Sequence, residues 1–376
     1  MSELKGYLVF LIMNEDFLKR KLHERLSSGA LRSLRLAGNQ ADYFSNDYLG
    51  IVKYGLIEKQ LQGQNFTHGS TGSRLLAGNY ALIEDTEKEI ALFHEARAAL
   101  IFNSGFDANF GLLSCIAQRG DLILYDKLSH ASIRDGIRQS FAESFSFAHN
   151  DLPDLETKLQ NRSGQTAKCF VVTESVFSMD GDLAPLTEVV QLCEKYSALL
   201  IVDEAHATGV IGERGEGLVQ VLGLQDQCFA RVHTFGKALG CHGAVILGSH
   251  TLRDYLINFC RPFIYSTAIA PASVAAIQAS YHIFPGMKKE REYIKSMTKI
   301  FDFPGFKKSC TPIQCFIISG NEKVKEVSRK LGETNIDARP ILYPTVPLGE
   351  ERIRITLHAF NTIEKTKKLV SVLLDN

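Results

Sequence analysis

Five short apolar runs recur along the first two thirds of the chain, at residues 98–102, 122–125, 169–173, 199–202 and 244–247, each rich in Val, Ile, Leu or Phe. Between most of them lie segments with apolar residues at helical spacing, at 110–118, 133–140, 152–159 and 186–196. A continuous apolar run has no polar face, so a strand built from it is covered on both sides. Strands of that kind separated by helices form a mostly parallel sheet sandwiched between helix layers. The pattern therefore predicts an α/β fold, with ligands bound beyond the carboxyl ends of the strands. From about residue 280 the rhythm changes. A basic stretch at 288–299 leads to an apolar run at 315–319, a helical segment at 324–331, a strand pattern at 352–356 and a closing helical segment at 363–374. We read this as a smaller α+β domain. The predicted organisation is an N-terminal segment (1–45), a large domain (46–280) and a small C-terminal domain (281–376), with no internal repeat or low-complexity linker.

The apolar stretch from Tyr7 to Met13 is seven residues long, too short to span a bilayer. It also lacks the longer apolar core and small-residue cleavage site of a signal peptide. Asn14-Glu15-Asp16-Phe17 reads as a fresh helix start. One expectation is that Met13 is the natural start; the other is a short strand or helix within 1–12.

Composition narrows the function classes. A chain of 376 residues is long enough for two domains, and 45% hydrophobic with 22% charged residues is ordinary for a globular protein. Lys and Arg number 42, as do Asp and Glu, so no overall basic field marks a nucleic-acid binder. The eight cysteines show no CxxC and no metal-ligand spacing, and most lie in apolar stretches. The expectation is a reduced, cytoplasmic protein with no metal, no nucleic acid and no membrane.

Candidate chemistry gathers just after the apolar runs. Asp203-Glu204-Ala205-His206 follows the run at 199–202, and Lys237 stands 34 residues after Asp203 among small residues, in Thr234-Phe235-Gly236-Lys237-Ala238. A buried strand-end aspartate and a lysine at this distance suit pyridoxal 5'-phosphate (PLP). The lysine holds the aldehyde as a Schiff base, and the aspartate keeps the pyridine nitrogen protonated so that the ring accepts electrons. Asn103-Ser104-Gly105-Phe106 follows another run and opens a helix, whose N-terminal N–H groups suit a phosphate. His130, after the run at 122–125, is placed to stack on the ring and take part in proton transfer. Ser178 and His206 are candidates to hydrogen-bond the cofactor's phenolate oxygen, and Thr234 to bind its phosphate. Gly69-Ser70-Thr71-Gly72-Ser73-Arg74 is glycine-rich but lacks the lysine of a Walker A loop. No GxxxxGK[ST] loop precedes the Asp-Glu-Ala-His tetrapeptide, so an ATPase reading has no support.

These segments, with Phe44-Ser45-Asn46-Asp47-Tyr48-Leu49-Gly50, Ser129-His130-Ala131-Ser132, Thr173 to Asp182 and Ile264-Tyr265-Ser266-Thr267, run in order over roughly residues 20–376. In that order they resemble the α-oxoamine synthase family of PLP-dependent transferases. The resemblance implies a fold-type-I enzyme, a homodimer with active sites at the subunit interface. It implies Lys237 as the Schiff-base lysine, Asp203 as the pyridinium partner and His130 stacked on the ring. Ser178, His206, Thr234, Gly105 and Phe106 would hold the cofactor, with Thr267 reaching the neighbouring subunit's phosphate. Arg32 and Thr345 match positions that contact the acyl substrate, and Asn46 one near the amino-acid carboxylate.

Phe147-Ala148-His149-Asn150-Asp151, and Pro344-Thr345-Val346-Pro347 followed by Arg352-Ile353-Arg354-Ile355-Thr356, favour the branch that joins L-alanine to a pimeloyl group carried by coenzyme A or a carrier protein. In that chemistry the freed lysine removes the α-proton, the carbanion attacks the thioester, and loss of CO2 drives the condensation. Siblings that join another amino acid to another acyl chain are the alternative. A non-catalytic scaffold would be expected to lose the lysine, and Lys237 is present. One departure stands out. The family commonly carries a carboxylate-binding arginine three residues before the threonine of Pro344-Thr345-Val346-Pro347, and here that position is Leu342. Arg339 is the nearest candidate to replace it.

Overall fold

The computed structural model describes residues 15–36, 38–161 and 167–375. The expectations for residues 1–12 and Met13 fall outside the described residues. All five apolar runs form strands: Ala98–Phe102 (β1), Leu122–Asp126 (β2), then, beyond Glu143–Phe147 (β3), Cys169–Glu174 (β4), Leu199–Asp203 (β5), and beyond Cys228–Thr234 (β6), Ala244–Gly248 (β7). Among the described residues they make one sheet of seven strands in the order β1-β7-β6-β5-β4-β2-β3. The pairs from β6 to β3 are parallel, and β7 runs antiparallel between β1 and β6. This is the mostly parallel α/β sheet that the sequence pattern predicts.

The two strands without an apolar run have physical reasons for being hidden. β3 is an edge strand, four of its five residues exposed, and it alternates polar and apolar residues. β6 carries Arg231 and His233 among its buried residues, which breaks the apolar signal. In the central strands alternate residues feed opposite faces. Leu124, Val171, Leu200 and Val202 enter one core, while Ile123, Phe170, Val172 and Ile201 enter the other. Each such burial stabilises by roughly 1.5–3 kcal/mol, so both helix layers are held to the sheet, and a one-residue slip would exchange the two sets between differently shaped cores.

The C-terminal part has its own antiparallel sheet, Ile313–Ile317 (β8), Arg339–Ile341 (β9) and Arg352–Thr356 (β10), in the order β9-β10-β8. The stretch around Ala41–Asp42 joins this part. It pairs in parallel with Ile336–Asp337, and Thr356 N donates to Tyr43 O at 2.8 Å. That docking brings Asn46 beside Arg354 of β10, which also reaches the turn after β4 through Ser178 O.

Candidate active site

The carboxyl ends of β4, β5 and β6 open into a cavity of about 320 Å³. Asn46, Gly105, Phe106, His130, Asp203, His206, Thr234 and Lys237 all line it. The local sequence explains why. Helix Gly105–Ile116 starts directly after β1, capped by Ser104, whose hydroxyl accepts from Asp107 N at 3.0 Å. Gly105 is required there, because a Cβ would stand 2.6 Å from Thr234 Cγ2. His130 caps helix Ala131–Gln139, its Nδ1 accepting from Ser132 N at 3.2 Å. That bond leaves the ring proton on Nε2.

Asp203, the last residue of β5, is buried. Asn109 Nδ2, on the Gly105–Ile116 helix, donates to its Oδ2 at 2.7 Å, and Ala205 N donates to its Oδ1 at 2.8 Å. The same Asn109 amide reaches Ser132 Oγ at 3.1 Å, tying the middle of one helix and the start of another to one carboxylate. Burial pulls the Lys237 ammonium below lysine's usual range, opposed by the Asp203 and Glu174 carboxyls and assisted by Arg354. Burial, joined by the Asp203 charge, pushes the Glu174 carboxyl up to about 8. Burial, with the cations Lys237 and Arg354, holds His206 well below its usual value, so its ring is neutral. The Tyr48 hydroxyl sits 2.7 Å from its Nδ1. Glu204 faces away from this chemistry. It accepts from Leu218 N and Val219 N at 2.8 and 3.0 Å and so caps the Leu218–Val221 helix.

Sequence reasoning singled out Asn46 but not its partner. Arg354, on β10, donates from Nη2 to Asn46 Oδ1 at 3.1 Å and from Nε to Ser178 O at 2.6 Å. Arg339, the candidate for the missing arginine, is placed elsewhere. Its guanidinium pairs with Asp337 at 3.1 and 3.2 Å and lies 3.8 Å over the Phe44 ring. The signal for Arg354 was its alternation with Arg352 on a short strand, which sets both on one face. Glu174 and Asn109 also went unnoticed. Glu174 is legible as a carboxylate at a strand end, whereas Asn109 sits mid-helix with no local signature.

Besides Arg339, four predicted residues stand outside this cavity. Ser178 contributes its carbonyl to Arg354 and does not line it. Thr267 is exposed, its carbonyl accepting from Asn103 Nδ2 at 2.9 Å. Arg32 and Thr345 meet each other, Nη2 to Oγ1 at 3.0 Å, on the exposed surface.

The family described as aminotransferase class I and II matches residues 35–373. The chain belongs to that family, among its α-oxoamine synthases. The 8-amino-7-oxononanoate synthase of Lysinibacillus sphaericus is 37% identical over 379 residues, covering 96% of this chain and 97% of that protein. The enzyme of the same name from Emericella nidulans is 39% identical over 392 residues, covering 95% and 94%. Serine palmitoyltransferase from S. paucimobilis, solved with a bound PLP–myriocin adduct, superposes with a TM-score of 0.85 at 26% identity, covering 97% and 98%.

The cavity of this α-oxoamine synthase fits PLP on its own evidence. Thr234 Oγ1 is buried without a partner at the start of the Gly105–Ile116 helix, where a phosphate would be met. Asp203 is held as an acceptor aimed by two N–H donors, and a desolvated lysine faces it. Among the described residues no helix is long and apolar enough to cross a membrane, and no cluster of His, Cys, Asp and Glu is arranged to hold a metal ion.

Proposed function

We propose that the protein is an 8-amino-7-oxononanoate synthase, condensing L-alanine with a pimeloyl thioester with loss of CO2. The observation that carries this reading is the desolvated Lys237 facing Asp203 across the cavity, in a chain whose full-length relatives bear that name. PLP would be held by Lys237, Asp203, Thr234, His206 and the backbone at Gly105 and Phe106, with His130 over its ring. Once bound, PLP supplies an electron sink that stabilises negative charge at the amino acid's α-carbon.

The chain's own residues supply the rest. The Arg354 guanidinium, steadied by Asn46 and by Ser178 O, would take the amino-acid carboxylate as a charge-assisted pair. Lys237, its proton affinity lowered by burial, would be the group that accepts the α-proton once freed. His130, proton on Nε2 and ring open to the cavity, can hold a proton on the side facing the entering acyl group. Two further parts of the reading concern assembly and place. Homodimerisation is supported by helix Asp16–Ser27, which buries none of its residues and exposes Phe17, Leu18, Leu22 and Leu26. In such a dimer Thr267 and the Arg32–Thr345 pair would serve the partner's site. A cytoplasmic location fits a substrate carried as a coenzyme A or carrier thioester.

A sibling activity on serine with a longer acyl chain is the competing reading, favoured by the likeness to serine palmitoyltransferase. Absorbance of the PLP-loaded protein, titrated with L-alanine, glycine and L-serine and followed by pimeloyl-CoA with CO2 detection, separates them. A spectral response to alanine followed by CO2 release on adding pimeloyl-CoA is the expected result. A response to serine without turnover of pimeloyl-CoA would transfer the assignment to the sibling.

A further inference from the structure

Glu174 lines the cavity and falls within the family stretch Thr173 to Asp182, yet the chemistry above gives it no role. It is the last residue of β4 and the register partner of Asp203 on β5, and both side chains are buried, at 3% and 5% exposure. Two carboxyls on neighbouring strand ends, both buried in one pocket, do not both ionise readily. Their surroundings divide the roles. Asp203 receives two N–H donors, Asn109 Nδ2 and Ala205 N, whereas Glu174 receives one, His130 N, which reaches its Oε1 at 2.6 Å. The charge therefore belongs on Asp203 and the proton on Glu174.

We propose that Glu174 is a positioning residue that stands as a neutral carboxylic acid beneath His130. It fixes the turn that presents the imidazole and leaves Asp203 as the one negative charge facing Lys237. The groups that face Glu174 are consistent with this division. Asp203 and Asp126 favour its neutral form, Lys237 opposes it, and His130 N opposes it through one hydrogen bond. Asp126 is already engaged by His149 Nδ1 at 3.0 Å and cannot take the proton's place beside His130. The consequence for catalysis is electrostatic. A second ionised carboxylate next to Lys237 would raise its hold on a proton, the opposite of what a base needs.

The consequence rests on the PLP reading; its first test does not. Infrared spectra of the cofactor-free protein at neutral pH, wild type minus Glu174→Gln, are expected to show the carbonyl stretch of a protonated carboxylic acid. In the wild type alone that band is expected to fade as pH rises through about 8. Carboxylate stretches in its place at neutral pH would overturn the proposal. A second measurement uses PLP affinity. Glu174→Gln keeps an acceptor for His130 N and resembles the neutral acid, so it is expected to bind PLP at least about tenfold more tightly than Glu174→Ala, a margin of one charge-free hydrogen bond and its packing. Equal loss in the two variants would also overturn the proposal. A wild type that binds no PLP while still showing the acid band would defeat the cofactor reading and leave the protonation of Glu174 standing.

Discussion

Arg354 and Asn46 lie 308 residues apart in sequence and 3.1 Å apart in space, and the contact joins the small C-terminal sheet to the N-terminal stretch at the mouth of the cavity. Charge-assisted hydrogen bonds contribute about 1.5–3 kcal/mol. Arg354→Ala is therefore expected to raise the KM for L-alanine by roughly 10–150-fold, with PLP still bound. Arg354→Lys should restore only part of this, because an ammonium cannot reproduce the planar fork. Arg339→Ala, which removes a pair with Asp337 and a stack on Phe44, should leave that KM within about threefold. Steady-state kinetics on the three variants check the assignment, and the opposite ranking of Arg354 and Arg339 would return the carboxylate to Arg339.

Thr234 offers a cleaner separation of binding from folding. Its hydroxyl is buried and has no protein partner. Thr234→Val keeps the shape that packs against Gly105 and removes only the orphaned group. The cofactor-free protein should therefore melt at the same temperature or higher, while PLP affinity falls about tenfold or more. Thermal melts and PLP titrations on the same preparation decide it. A lower melting temperature without a change in affinity would mean that the hydroxyl serves the fold.

Asn109→Ala is expected to do the reverse. Its amide is the donor that Asp203 Oδ2 and Ser132 Oγ share. Removing it strands a buried carboxylate oxygen, at a cost of about 1–3 kcal/mol, and frees the carboxylate to turn. Denaturant melts should show the loss in the cofactor-free protein, and the PLP absorbance should change as well. Unchanged stability would show that water replaces the amide.

These contacts also show what the sequence made legible. The buried strands were readable because both of their faces are apolar, and the residues after them were readable because a parallel sheet gathers its strand ends at one edge. Lys237, Asp203, His130, His206, Thr234, Gly105, Phe106 and Asn46 were singled out in the sequence and share one cavity. What escaped was set by side chains meeting over long separations. Asn109 reaches Asp203 from the middle of a helix, and Arg354 reaches Asn46 from another sheet. No local spacing encodes either meeting. Leu342 drew attention to Arg339 because it was near in sequence, whereas the guanidinium beside Asn46 comes from a strand twelve residues further on.

His149 makes the fold's pH response testable. Its Nδ1 lies 3.0 Å from Asp126 Oδ1 and its Nε2 2.7 Å from Asp182 Oδ2, so the ring bridges β2 to the turn that carries Ser178. Burial works against its charge, but the hydrogen bonds and charges of Asp126 and Asp182 outweigh burial and raise its pKa to about 9. The unfolded value is about 6.5. A raised folded value means that the native state holds the proton more tightly. The stabilisation is therefore complete below about pH 6.5 and disappears as pH climbs through about 9. His149→Asn cannot carry the charge, so the stability gap between wild type and variant should be widest near pH 6 and close toward about pH 10. Urea melts of the cofactor-free protein across that range measure the gap. A gap that stays constant with pH would mean that His149 acts through packing against Phe177, whose ring it meets edge-on at 4.4 Å, rather than through its charge.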